Sequence, residues 1–362
     1  MKNKKKPAIS IIVTCYKGGD YLPKCLKSLC SQTLKDIEIV CVNDASPDNT
    51  ADILKEWSKK DDRVVVLTNE ENIGVSASRN KGFSESKSDY IMFCDADDFY
   101  EPVMCEEMLD AIKNNNVDLA ACGTNIIYHA HEEMKLSDIN YYSIKYSGQT
   151  KITEDVILNT DLSPWNKIFK KSIILDNKIT FPEGLYYEDA YFCSAYLCCS
   201  KRAYFIDKQL HNYVRHESST MSNTWSENKQ KDNAIDHLYI AFKLHDFLKS
   251  NNLLEKYNTL FWRLFIVFGY FAIENSKTNK KRNIVRKEAA EFIRTHTKEL
   301  NEVQKSIRDE VNNMVKCGFL PSTARIKHIL LRFMPTYKSQ IDNIERLRSI
   351  SNSMRDENTK IY

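Results

Sequence analysis

Asp95-Ala96-Asp97-Asp98 sets three carboxylates within four residues, directly after an apolar run, Tyr90 to Cys94, with the composition of a buried strand. Negative charge stacked where a chain leaves a sheet is costly unless a cation neutralises it. A hard divalent ion held by one or two carboxylates, with phosphate oxygens completing its shell, meets that need. The stretch therefore points to chemistry on a nucleoside diphosphate. Asp97 is the expected ligand of the ion, with Asp95 in the same shell or on a ribose. Asp98 is open as an N-cap or a structural anion. A solvated acidic loop is the plain alternative. Position at the end of a buried strand, after an earlier strand that also ends in polar residues, argues against it.

That earlier end is Asn43-Asp44, and the first strand ends near Thr14 and Tyr16. Asp44 could accept a hydrogen bond from a base imide while Tyr16 stacks on the ring; Asn and Asp also cap turns without any ligand. In Asn72 to Asn80, Gly74 lets the backbone turn and Arg79 enters the helix that follows. A guanidinium fork suits a diphosphate or a base carbonyl, and equally a carboxylate of the protein. Glu188 and Asp189 open an aromatic-rich helix, where the dipole favours negative charge. Read functionally, one is a general base that takes the proton of an attacking hydroxyl. Asp189 is the expected base, with Glu188 binding an acceptor or orienting its neighbour. Trp165, Asn166 and Lys167 offer a flat face and polar contacts for an acceptor sugar, or a packed anchor for a turn. Arg215 and His216 could grip a diphosphate from the far side.

These residues need a scaffold that gathers them. Ala8–Thr14, Ile37–Val42, Val64–Leu67 and Tyr90–Cys94 read as strands, and Tyr21–Gln32, Thr50–Lys59 and Gly74–Ser86 as the helices between them. Such alternation predicts an open α/β sheet with a ligand crevice at the carboxyl ends of its strands. A helix over 102–115 and a strand over 117–122 extend it. Residues 125–149 are polar and Tyr-rich, an expected variable insertion. Strands are expected over 203–214, and helices with basic faces from about 228 onward.

The 362 residues, with 42% hydrophobic and 28% charged side chains, suit a soluble globular protein. A net charge of only +3 excludes a nucleic-acid binder on charge grounds, although residues 277–332 hold 14 Lys/Arg against 6 Asp/Glu. Eleven scattered cysteines, many in apolar runs, suggest reduced core thiols and a cytoplasmic setting. The basic N-terminus leads into a strand, so no signal peptide is expected. Phe261–Ile273 is too short to span a bilayer.

Ser10–Tyr16, Leu29–Thr33, Asp36–Ser46, Asn72–Asn80 and Asp95–Asp98 together resemble the family 2 glycosyltransferases, inverting enzymes of the GT-A fold. Trp165–Lys167, Tyr187–Asp189 and Tyr213–Arg215 resemble stretches of bacterial members that build surface polysaccharides. The resemblance covers roughly residues 7–220. It implies a Rossmann-like open twisted sheet as the catalytic domain, over 1–220, followed by a mainly helical region over 221–362. It implies nucleotide-binding positions at Thr14, Tyr16, Asp44, Arg79, Asp95 and Arg215, an Mn2+ or Mg2+ ion on Asp97 and Asp95, and a base at Asp189. The activity implied is transfer of one sugar from a UDP-hexose or UDP-N-acetylhexosamine to a hydroxyl of a glycan or lipid-linked acceptor. Asn43 departs from the pattern, which usually carries a first Asp there. The Gln-x-x-Arg-Trp signature of processive synthases is absent, which favours single-sugar transfer.

A sugar nucleotidyltransferase would need a richer Gly loop than Lys17-Gly18-Gly19, and a non-catalytic binding module would be expected to have lost a carboxylate. In the C-terminal third, Arg325–Pro335 reads as a basic amphipathic helix suited to an anionic membrane face. Ile341, Ile344, Leu347 and Ile350 continue an apolar stripe that could instead pair two subunits.

Overall fold

The four apolar runs form Ile9–Cys15 (β1), Ile37–Asn43 (β2), Val64–Thr68 (β3) and Tyr90–Asp95 (β4), paired in parallel in the order β3-β2-β1-β4. The computed structural model describes residues 6–128, 134–136, 146–216 and 233–316. The main path then continues through Lys167–Lys170 (β9), Leu119–Tyr128 (β6), Arg202–Arg215 (β10) and Phe99–Tyr100 (β5). Met134–Leu136 (β7) pairs with β6, and Gly148–Lys151 (β8) with β10. The antiparallel insertion of β9 between β4 and β6 makes the sheet mixed.

Alternation along the strands divides the core. Ile12, Ile91, Phe93, Leu119 and Ala121 face one side; Ile11, Val13, Met92, Cys94, Ala120 and Cys122 face the other. Both faces are covered, which is why the central strands read as mostly apolar runs, with Ser10 and Glu38 as a buried, mutually bonded exception. Helices Leu22–Cys30 (α1), Thr50–Lys60 (α2) and Met104–Asn114 (α4) cover the second face with Leu22, Leu26, Leu54 and Met108. Val75–Glu85 (α3) packs on the first face. Glu154–Leu158 (α5), Lys171–Asp176 (α6) and Glu188–Cys199 (α7) follow it in the chain. Behind α7 lie Asp236–Ser250 (α8) and Leu254–Asn275 (α9), then Asn279–Thr295 (α10), Thr297–Asn301 (α11) and Lys305–Lys316 (α12). One buried cluster runs from Ile12 and Phe93 through Phe192 and Leu238 to Phe265 and Met314, so sheet and helices share a core.

The expected helical region is therefore present, and the Phe261–Ile273 run lies buried inside α9. No helix among the described residues is long and apolar enough to cross a membrane. The segment expected as strands over 203–214 is one long strand, β10, with register irregularities between Ile206 and His211. These set His211 and Asn212 against Tyr100 and Phe99 of β5. The basic helix expected at Arg325–Pro335, the stripe from Ile341 to Ile350 and most of the 125–149 insertion lie outside the described residues.

One glycine decides how closely α3 approaches the sheet. A Cβ on Gly82 would overlap Ile12 Cγ2 and press on Val42 Cγ2. This close approach brings Arg79, one turn earlier on the same helix, to the ends of β1 and β4. Gly82→Ala is expected to destabilise by about 1–3 kcal/mol, although alanine is the better helix former. Denaturant unfolding checks this; an unchanged or higher midpoint would contradict it.

Candidate active site

Strand register assembles the site. Thr14 of β1 lies directly opposite Asp95 of β4, and Cys15 opposite Asn43 of β2. The backbone then turns sharply: Lys17 and Ala45, just past the ends of β1 and β2, both have positive φ (54° and 50°). Tyr16 stands 47% exposed at this rim. Asp44 is buried and shapes the loop ahead of α3. It accepts hydrogen bonds from Ile73 N (2.9 Å), Gly74 N (2.9 Å) and Asn69 Nδ2 (2.8 Å). Gly74, at φ +88°, then opens the helix.

Arg79 is the centre of the charge arrangement. Its Nη1 donates to Glu188 Oε1 at 2.5 Å and its Nη2 to Asp95 Oδ1 at 2.9 Å, with the side chain only 7% exposed. Burial opposes its charge, but Asp95 and Glu188 more than offset this and hold the guanidinium firmly protonated. It also lies 5.2 Å from the Phe181 ring centroid. Asn80 exchanges two hydrogen bonds with the Phe181 backbone, which fixes the approach to α7 against α3. Asp189 follows Glu188 at the start of α7. Burial, reinforced by Glu188 and opposed by Arg79, raises its carboxyl to about 7.

The acidic turn converges as expected. Ligand oxygens of Asp95, Asp97 and Asp98 all lie within 4.8 Å of one another. Asp97 Oδ2 sits 2.9 Å from His216 Nε2, and the His216 ring stacks on Tyr21 at 4.2 Å. Asp98 is fully buried, accepts from Val214 N and lies 3.2 Å from His211 Nε2. Burial, with Asp97 and Asp95 beside it, raises its carboxyl well above the usual range. Burial and then Lys167 lower His211 to about 3, so the histidine is neutral. Asp98 thus anchors the turn to β10, the structural alternative left open by the sequence. Arg215 closes β10 beside His216.

Two expectations need correction. Trp165, Asn166 and Lys167 were expected to face an acceptor, yet all three are buried. Trp165 stacks between His211 (4.4 Å) and Tyr213 (5.9 Å). Asn166 donates to Cys122 O, while Lys167 Nζ donates to Ser163 O and Asn166 Oδ1. A buried ammonium must be paired in this way, and the pairing leaves little surface for a ligand. Arg79 was expected on the nucleotide; here both arms of its fork hold carboxylates of the protein. Sequence reading missed Asn69, which follows β3 as Asp44 follows β2, and Tyr21, whose role depends on a contact with a distant histidine. The strand-end rule that found Asp44 could have found Asn69.

Removing Arg79 orphans two carboxylates at once. Arg79→Ala is expected to lower stability by about 3 kcal/mol, the lower end of the range for breaking a buried pair, because Asp95 keeps some water contact. Thermal and denaturant unfolding read this; a loss below about 1 kcal/mol would show a bridge no stronger than a surface pair.

Known proteins match this chain. The model of the glycosyl transferase family 2 matches residues 10–176. EpsH of Bacillus subtilis (strain 168), itself named only as a glycosyltransferase, is 30% identical over 291 residues, spanning 78% of this chain and 81% of its own. The poly(ribitol-phosphate) beta-glucosyltransferase of Bacillus spizizenii (strain ATCC 23059 / NRRL B-14472 / W23) is 27% identical over 95% of this chain, which spans 52% of that protein. Among solved structures, S. aureus TarS 1-349 in complex with UDP-GlcNAc superposes with a TM-score of 0.58 at 20% identity, over 96% of this chain and 92% of that one. The fold is thus the GT-A fold with a helical C-terminal region, and the chain belongs to the family 2 glycosyltransferases.

Proposed function

We propose that the crevice binds a UDP-hexose or UDP-N-acetylhexosamine and passes the sugar, with inversion, to a hydroxyl of a glycan or lipid-linked acceptor in surface polysaccharide assembly. The observation that carries this reading is the pairing of an acidic turn with a raised carboxyl. Asp95 and Asp97 gather at the strand ends, and the Arg79 bridge to Glu188 holds Asp189, poised near neutrality, at the edge of the same charge cluster. The relative crystallised with UDP-GlcNAc supports a uridine donor. Tyr16, exposed at the rim, can stack on the base, with Thr14, Asp44 and Arg215 as further nucleotide-binding residues.

Oxygen donors of this number and closeness fit a hard divalent ion, Mn2+ or Mg2+. Asp97 and Asp95 would hold it, with His216 Nε2 as a further donor. Such an ion supplies charge neutralisation to the departing diphosphate. Asp189 accepts the proton of the acceptor hydroxyl. Glu188, only 11% exposed in its side chain and paired with Arg79, orients that carboxylate. Exposed Lys281 and Lys287 beside the exposed Ile284 on α10 support a peripheral contact with an anionic membrane face, and the unpaired described cysteines suit the cytoplasm.

The test is release of free nucleoside diphosphate from a panel of nucleotide sugars with manganese present. A base at about 7 must be ionised to work, so turnover rises as pH climbs through about 7 and levels off above it. Stability runs the other way. The folded form holds the Asp189 proton that the unfolded chain releases near pH 4, so this group's contribution is lost as pH rises from about 4 to about 7. Asp189→Asn is expected to cut turnover by about 10²–10⁴-fold and to remove that rising limb. Full transfer by Asp189→Asn would contradict the assignment.

A further inference from the structure

The turn that presents Glu188 and Asp189 is held in an unfavourable backbone conformation by residues of the helical region. Tyr187, the N-cap of α7, sits in the left-handed region with φ 67° and ψ 27°. A bulky non-glycine residue adopts this only where its surroundings impose it. The turn has two restraints of different origin. From the sheet side, Arg79 pairs with Glu188, and Asn80 binds the Phe181 backbone. From the other side, the first turn of α8 makes two contacts. Asp236 Oδ2 accepts from Tyr186 N at 3.1 Å. His237 stacks face to face on Tyr187, with ring centroids 3.4 Å apart and planes 14° apart.

His237 does not end the chain of contacts. Its ring stacks in turn on Phe271 of the long helix α9, at 5.3 Å. The histidine is buried and neutral, and its Nε2 has no hydrogen-bond partner among the described residues. A buried imidazole that forgoes a hydrogen bond contributes here through its flat face. The three rings Tyr187, His237 and Phe271 therefore couple the turn to the body of the helical region, some fifty residues or more beyond it in the chain (187 against 237 and 271).

We propose that Asp236 and His237 are positioning residues for sugar transfer: they lock the left-handed turn at Tyr187 and so set the direction in which Asp189 points. This rests on the reading of Asp189 as the base. It gives the helical region a part in the chemistry of the crevice.

Hydrogen–deuterium exchange and turnover on the full chain test this together. Losing a stacked ring pair should speed amide exchange across 184–190 by about 3- to 10-fold in His237→Ala, with the rest of α7 unchanged. His237→Phe keeps a flat ring and should restore wild-type exchange. With UDP-glucose and UDP-N-acetylglucosamine as donors, His237→Ala should lower kcat by about tenfold with donor KM unchanged, and His237→Phe should recover it. Asp236→Ala should loosen the same peptide and keeps the test open if His237→Ala does not fold. Unchanged exchange across 184–190 in both alanine variants would overturn the proposal, as would wild-type kcat in both. An Asp189→Asn arm separates the two readings. If that variant turns over at the wild-type rate the base assignment fails, and if the wild type consumes neither donor the proposed donor class fails; in both cases exchange alone still decides whether the helical region holds the turn.

Discussion

A single buried guanidinium holds the site together. Arg79 bridges Asp95 at the end of β4 to Glu188 at the start of α7, and so joins a strand of the parallel sheet to a helix that follows more than ninety residues later. Without it, Asp95 and Glu188 would lose the buried cation that pairs with both. Asp95, Asp97, Asp98, Glu188 and Asp189 repel one another, and desolvation makes that repulsion expensive. Arg79 neutralises part of it from within. Burial first, and neighbouring carboxylates after it, raise the carboxyls of Asp98 and Asp189. A cluster of carboxylates favours a cation, and the raised Asp189 suits a proton acceptor, the two requirements of the proposed transfer.

The scaffold explains why the bridge can form. Four parallel strands end at nearly the same level, with Thr14 in register with Asp95 and Cys15, one residue on, in register with Asn43. Gly82 lets α3 sit close enough to the sheet for Arg79 to reach over those ends. Asp44, rather than standing free in the crevice, folds the loop that starts α3. Asp98 ties the acidic turn to β10 by accepting from Val214 N, and His216 meets Asp97 from the same strand's end. Each of these contacts is modest alone. Together they over-determine the position of the carboxylates, which is the condition for holding like charges so close.

The parallel half of the fold was legible in the sequence because strands buried on both faces must be mostly apolar, and their abrupt polar ends mark the crevice. The same signal located Thr14, Asp44, Asp95 and Asp97. The type of a residue does not reveal its exposure, and that is why Trp165, Asn166 and Lys167 read as an acceptor surface when they form a buried polar anchor. Nor does type reveal a partner. Arg79 suits a diphosphate and a carboxylate equally, and only the fold brings Glu188 to it. The left-handed Tyr187, its stack on His237 and the bond from Tyr186 N to Asp236 carry no local signature, because they join segments far apart in the chain and oppose the usual preference for glycine at such a φ.

The central claim is that the acidic turn is a cation site on which a nucleoside diphosphate depends. Calorimetric titration of UDP, with manganese and then with a chelator, tests it most directly. Binding in manganese is expected to weaken at least about a hundredfold when the ion is removed or when Asp97 is replaced by alanine. Equal affinity for UDP with and without the ion, in wild type and Asp97→Ala alike, would contradict it.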